Sequence, residues 1–227
     1  MTVLGFDTSG KNASVAVSDG GITLANSSLH SSRTHSQIIL PLCKSMLENA
    51  GLSLNDMDLF AVAAGPGSYT GLRIGIASVK AFAYALGKKC LGISTLEALA
   101  YNCRGMDGII CGVMTARADL VYSAFFRDAS NGMERLCRDG ITERGELAGT
   151  LSKYDEKIIF TGDGAERFLC DFNIPNAELA PLPLRLQLAD GVCAAAFYHA
   201  PAEPSELRAA YLQPVKAEKD LEKKRNA

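Results

Sequence analysis

The chain has 227 residues and a mass of 24.1 kDa, and 23 Lys and Arg against 25 Asp and Glu leave a formal net charge of −2. With 48% hydrophobic and 21% charged residues it has enough apolar material for a real core and too little charge for a disordered chain. A pI near 5.9 lacks the basic footprint of an autonomous nucleic-acid binder, so contact with RNA is expected only with help from a partner.

The opening residues 1–7 show no basic region or small-residue cleavage site, and no apolar run reaches the ~18 residues needed to cross a bilayer. A cytoplasmic protein without membrane contact is therefore expected. Residues 2–6, 13–18 and 22–27 read as a three-stranded meander, with Asp19-Gly20-Gly21 as its second turn. Ile38, Ile39, Leu42, Met46, Leu47 and Ala50 then recur at helical spacing after a Thr34 or Ser36 cap, and Gly51 stops the helix. Pro41 is expected to bend this helix or delay its start. Residues 59–64 read as a buried strand, 71–86 as a helix ended by Gly87, and 90–93 as another strand.

The second half repeats this order, with strands at 109–114, 120–126 and 134–141, a helix at 143–151, a strand at 157–161 and a helix at 165–172. A duplicated βββαβα unit predicts an α/β, two-lobed architecture, because each mixed sheet must cover its face with the helices that follow it. That order is the one used by the actin, sugar-kinase and Hsp70-like (ASKHA) superfamily. The boundary is placed in residues 104–108, giving lobes 1–104 and 105–227. Residues 175–183 read as a proline-rich connector, and 186–198 as a last helix able to pack on either half. The charge run at 216–225, within a tail 216–227, reads as a solvated tail.

Asp7-Thr8-Ser9, between two strands, has the form of a phosphate-facing hairpin, although these residue types also suit any turn. The most distinctive segment is Gly65-Pro-Gly-Ser-Tyr-Thr-Gly-Leu-Arg-Ile-Gly75. It fails as a P-loop, because Thr70 and Gly71 stand where Gly and Lys are required, and as a nucleophile elbow, because Pro66 and Thr70 flank Ser68. The third glycine comes one residue late for a dinucleotide loop. Gly71 and Gly75, one turn apart, make a flat helix face for a partner or for the core. Only His30, His35 and His199 are present, none of them in a metal-binding pair, and His35 reads as a capping or interface residue. Asp163, in Thr161-Gly-Asp-Gly164, could approach a nucleotide or cap a helix. The seven cysteines form no C-x-x-C and read as reduced structural thiols rather than a zinc site.

The glycine segment resembles the signature of the TsaB (YeaZ) family, bacterial accessory proteins of tRNA threonylcarbamoyladenosine synthesis. Phe6-Asp-Thr-Ser9 with Ser14–Val17, the segment 35–41, Ala116-Arg117 with Val121-Tyr122, and Gly162-Asp-Gly-Ala165 agree in order, so the resemblance runs to Pro214. It implies a non-catalytic relative of the threonylcarbamoyl transferase TsaD. Where that enzyme carries an H-x-E-x-H metal pair, Glu97 remains here, while Thr95 and Leu99 replace the histidines. It further implies a heterodimer with TsaD, recruitment of the ATPase subunit TsaE, a homodimer when alone, and tRNA contact only through the complex. The expected partner face, on helices 35–50 and 71–86, comprises His35, Ile39, Leu42, Met46, Gly71, Arg73, Gly75 and Ser78. No catalytic residue, metal or cofactor is required. Weak ATP or ADP binding at a vestigial site of Asp7, Thr8, Ser9, Gly162, Asp163 and Gly164 is allowed, though Thr115 stands where many members have Asp. The competing reading is an autonomous ASKHA-type nucleotide-binding phosphotransferase. It needs both phosphate hairpins and a catalytic base, and Thr115 weakens it.

Overall fold

The computed structural model describes residues 1–212, so the charge run at 216–225 lies outside the described residues. The first half folds as β1 (Thr2–Asp7), β2 (Asn12–Asp19), β3 (Ile22–His30), α1 (His35–Asn49), β4 (Leu59–Gly65), α2 (Tyr69–Leu86), β5 (Lys89–Ser94) and α3 (Thr95–Asn102). The second follows with β6 (Ile109–Thr115), β7 (Leu120–Ala129), β8 (Gly132–Arg135), β9 (Gly140–Glu143), α4 (Arg144–Leu151), β10 (Ile158–Thr161), α5 (Ala165–Asp171), β11 (Ala177–Leu179) and α6 (Ala189–Ala196). Strand order is β3-β2-β1-β4-β5 in one sheet and β8-β7-β6-β10-β11 in the other, with β9 also pairing β7. Each half thus has an antiparallel meander continued by two parallel strands, as in Phe6↔Val62 and Phe160↔Cys111. The chain has the two-lobed, duplicated α/β fold of the ASKHA superfamily.

The central strands are apolar on both faces because both faces are covered; β4 is buried at all seven positions. On one face of the first sheet, Leu4, Phe6, Val15, Phe60 and Val62 pack beneath α1 and α2 through Ile39, Met46 and Val79. The opposite face, Val3, Ala16, Leu59, Ala61 and Ala63, is covered by Ala189, Val192, Cys193 and Ala196 of α6. The last helix therefore packs on the first lobe. The second sheet is covered by α4 and α5 on one side, and on the other by Leu96, Leu99 and Ala100 of α3. Each lobe's final helix lies against the other lobe's sheet. The two helices cross where a Cβ at Gly191 would fall on the Ala98 carbonyl oxygen, so only glycine permits the approach.

Several local expectations are corrected. The strand expected at 134–141 is two strands, β8 and β9, both paired with β7. Between them the Phe125 amide donates to Cys137 Sγ at 3.2 Å, and Leu136 donates to the Phe125 carbonyl at 2.8 Å, which holds the chain in place while Arg135 turns toward Asp139. The connector 175–183 contributes β11, and α3 is a helix beyond those the sequence pattern predicts. The last helix covers Ala189–Ala196 rather than 186–198, because Leu188 is still extended at φ −127° and ψ 140°. Pro41 lies inside α1 and does not delay it, since the helix starts at His35 behind the Thr34 cap. Pro41 is exposed, so the carbonyl it leaves without an amide partner faces the solvent side.

Candidate functional site

Two features compete as functional sites: the cleft between the lobes and the outer face of α1 and α2. The cleft, of about 400 Å³, is lined by Ser9, Gly10 and Lys11 from the first hairpin, Gly67 and Ser68 from the glycine loop, and Thr115, Ala116, Arg117, Tyr122 and Asp163 from the second lobe. The structure thus brings Ser9 and Asp163 together across it.

The first hairpin is closed on itself. Asp7 is fully buried, and its Oδ1 accepts from both the Ser9 amide, at 2.8 Å, and the Ser9 hydroxyl, at 2.6 Å. Its Oδ2 has no partner. Burial raises the Asp7 carboxyl to about 6, against the lowering effect of the Ser9 bonds and of the charge on His35. Thr8, also buried, donates to the Gly71 carbonyl at 2.7 Å, and the Ser68 amide donates to the Ser9 carbonyl at 2.7 Å. The glycine loop is therefore shaped to clasp this hairpin. A Cβ at Gly67 would lie 2.6 Å from the Ser9 carbonyl oxygen, one at Gly71 would fall on the Thr8 carbonyl oxygen, and one at Gly75 would lie 3.1 Å from Val62 Cγ2.

On the opposite wall, the Thr115 amide donates to Asp163 Oδ1 at 3.2 Å, so Asp163 ties two loops and does not cap α5, whose N-cap is Gly164. Desolvation raises the Asp163 carboxyl, and the Thr115 amide bond, which lowers it, offsets that only in part. Gly162 and Gly164 pack on β6: a Cβ at Gly162 would fall on the Val113 carbonyl oxygen, and the Gly164 amide donates to that oxygen at 3.0 Å. Both are backbone fits rather than open phosphate contacts. Ser9's amide and hydroxyl are spent on Asp7 and Thr8's hydroxyl on Gly71, which leaves Lys11 and Arg117, both exposed, as the cleft's cations. This donor set does not fit a tightly held nucleotide.

The expected partner face is redistributed. Gly71 and Gly75 point inward against Thr8 and Val62, and Ile39 and Met46 lie in the core, so these four are not surface residues. His35 is half-buried with Nε2 2.9 Å from the Gly10 carbonyl, Leu42 is half-buried, and Ser78 donates to the Ile74 carbonyl at 2.9 Å. Arg73 is exposed, stacked 4.0 Å from the Tyr69 ring and donating to Tyr211 at 3.1 Å. What the surface presents instead is an apolar groove of about 570 Å³ between α1, the following turn and α2, formed by Leu40, Pro41, Cys43, Leu47, Leu52, Leu54 and Phe82. Lys44, Glu48 and Ser53 complete its wall. Leu40 is 45% exposed. Its signal in the sequence is Leu40-Pro41, an apolar pair off the core stripe; Lys11 carries none, and Arg117 stands only in the Ala116-Arg117 match to the family.

Thr95 and Leu99 are both fully buried, Leu99 in the α3 core and Thr95 with an unpartnered hydroxyl. Among the described residues no group of three His, Cys, Asp or Glu side chains could hold a metal ion, and no helix is long and apolar enough to cross a membrane.

Comparison with known proteins places this geometry. Residues 23–180 match the family model described as TsaD, tRNA N6-adenosine threonylcarbamoyltransferase. The chain is 30% identical to the tRNA threonylcarbamoyladenosine biosynthesis protein TsaB of Bacillus subtilis (strain 168) over 162 residues, 71% of each chain. It is 34% identical to the TsaB of Escherichia coli (strain K12) over 135 residues, 59% of this chain and 58% of that one. The solved structure of YeaZ from Pseudomonas aeruginosa superposes with a TM-score of 0.80 at 26% identity, covering 93% of this chain and 99% of that one.

Proposed function

The chain belongs to the TsaB family of tRNA threonylcarbamoyladenosine biosynthesis proteins, and on that premise we propose that it is a non-catalytic subunit that scaffolds the threonylcarbamoyl transferase TsaD and recruits the ATPase subunit TsaE. The observation that carries this reading is the apolar groove between α1 and α2, open on the surface; Thr95 and Leu99, which the family resemblance sets where the transferase has metal-binding histidines, are buried. An apolar groove walled by Lys44 and Glu48 suits a helical face of a protein partner. A TsaD subunit fills it in the working complex, and a second copy of this chain fills it when TsaD is absent. The tRNA is held by the complex rather than by this subunit, whose net charge of −2 gives little counterion release.

No cofactor is required. ATP or ADP in the cleft would be held weakly by Lys11 and Arg117, since the hairpin's own donors are already bonded within the chain. The reading is tested by reconstituting tRNA modification from purified TsaD, TsaE and the threonylcarbamoyl donor, with and without this chain. Modification is expected only when the chain is added, and the chain alone is expected to show no transfer or hydrolysis. Full modification in its absence, or chelator-sensitive turnover by the chain alone, overturns the proposal.

A further inference from the structure

Away from both sites, a ring of charged side chains joins the lobes. Ser94, the N-cap of α3, accepts from the Glu97 amide at 3.2 Å and donates to Asp139 Oδ2 at 2.5 Å. Asp139 also pairs with Arg135, Arg135 Nη2 reaches Glu97 Oε2 at 3.0 Å, and the ring closes. Glu97's other oxygen lies 2.7 Å from His199 Nε2. Glu97 belongs to the first half of the chain, Arg135 to β8, Asp139 to the link between β8 and β9, and His199 to the segment that follows α6. The Arg135 guanidinium stacks 4.6 Å from the Phe126 ring. Beside the ring, Tyr101 stacks on Tyr198 and accepts from the Met133 amide at 3.1 Å, while Arg104 donates to Tyr198 at 2.7 Å and pairs with Asp128.

Past His199 the chain becomes a strap across the first lobe. Ala202 forms a bridge with Cys90, Leu207 enters the core, Ala210 donates to the Ala64 carbonyl at 2.7 Å, and Tyr211 meets Arg73 on α2. We propose that Glu97, Arg135, Asp139 and His199 form a proton-sensitive clasp, which locks the lobes and the strap when His199 is protonated and loosens the strap when it is not.

The charges decide the direction. With His199 protonated the clasp holds two cations and two carboxylates and is neutral; the neutral imidazole leaves a net charge of −1 around Glu97, whose side chain is only 11% exposed. The bond to Glu97 raises the His199 imidazole, and partial burial opposes it. For Glu97, burial alone would raise the carboxyl, but the bonds and charges of His199 and Arg135 outweigh it and bring it below its ordinary value. The His199 contribution is therefore complete below the ordinary histidine value of about 6.5 and is lost as pH rises through the higher folded value. The Glu97 contribution is complete above about 4.5 and is lost on acidification below that. The clasp is tightest between those limits.

Amide hydrogen exchange, corrected for intrinsic rates and followed from pH 5.5 to 8.5, tests this on the whole chain. Protection of the Glu97, Ala202 and Ala210 amides is expected to fall about fivefold across the range, the difference between a charged and a neutral hydrogen bond. His199→Gln is expected to lose the part of this fall that exceeds the change at the Phe168 control. His199→Lys, charged at every pH used, is expected to show no step beyond that of the Phe168 control. Asp7 titrates in the same range, so natural chain and variant are compared at each pH, and the Phe168 amide of α5, far from the clasp, serves as control. A ratio of natural-chain to His199→Gln protection that stays constant with pH at Glu97, Ala202 and Ala210, or that changes equally at Phe168, overturns the proposal. A titration of the His199 ring by NMR needs no variant: a midpoint at or below that of a free histidine overturns it too.

Discussion

Asp7 shows how far one side chain can be displaced from the role its sequence context suggests. It stands at the end of β1, where a phosphate-binding fold would present a carboxylate, yet it is fully buried and bonded only to Ser9. Because folding holds its carboxyl at about 6 rather than 3.8, the folded chain favours the protonated form. Its contribution to stability is full below about pH 4 and is lost as pH rises through about 6, a difference of about 3 kcal/mol. Asp7→Asn carries no such titration. Urea unfolding at pH 4, 5, 6 and 7.5 is therefore expected to show the variant gaining on the natural chain by about 3 kcal/mol across that range; parallel curves would refute the assignment. Gly75 makes the second residue-scale case. Its flat face is filled by Thr8 and Val62, so Gly75→Leu is expected to lower stability by at least about 1–3 kcal/mol through overpacking. A thermal melt unchanged from the natural chain would return Gly75 to the surface.

At the scale of elements, the groove between α1 and α2 sets the expected behaviour of the partner face. Leu40 is exposed there and outside the core stripe, so Leu40→Asp is expected to change stability by no more than about 0.5 kcal/mol while weakening association, with TsaD or a second copy, about tenfold or more. Gel filtration and pull-down read this out; association untouched by the charge would move the interface elsewhere. The same helices show what the sequence carries and what it does not. Period-3.6 spacing placed α1 and α2 almost to the residue, because their buried stripes face a sheet of the same lobe. It could not say that Gly71 and Gly75 face inward, since a glycine has no side chain to mark a face, and only the approach of the Thr8 backbone decides it. The split of β8 from β9 depends on a thiol accepting the Phe125 amide, a tertiary contact with no local signature. In α3, seven of eight residues are buried, so it lacks the polar face that periodicity reads. Likewise Asp7-Thr8-Ser9 was legible as a hairpin, but its closure depends on a glycine loop some sixty residues away.

For the molecule as a whole, the exchange of α3 and α6 between the lobes governs how it unfolds. The first sheet's inner face is covered by a helix from residues 189–196: Ala189 donates to the Ser14 hydroxyl at 3.0 Å, and a Cβ at Gly5 would lie 2.6 Å from Cys193 Sγ. A fragment of residues 1–104 would leave Val3, Leu59, Leu91 and Ile93 without that cover. At roughly 1.5–3 kcal/mol each, their lost burial comes to about 6–12 kcal/mol, comparable with the entire margin of an ordinary domain. Residues 1–104 are accordingly expected to show no cooperative urea transition alone, although they hold a complete five-stranded sheet, and to recover one on mixing with residues 105–227. In the intact chain the lobes are expected to unfold together. Cys43 reports the first lobe's core and Cys111 the second's; burial pushes the Cys43 thiol up to about 12 and raises Cys111 as well, so both stay unreactive until their lobe opens. Thiol labelling through a urea series is expected to give one midpoint for both cysteines. Two separated midpoints, or a cooperatively folded 1–104 fragment, would mean that each lobe is stable by itself and that the crossed helices join two domains instead of completing one.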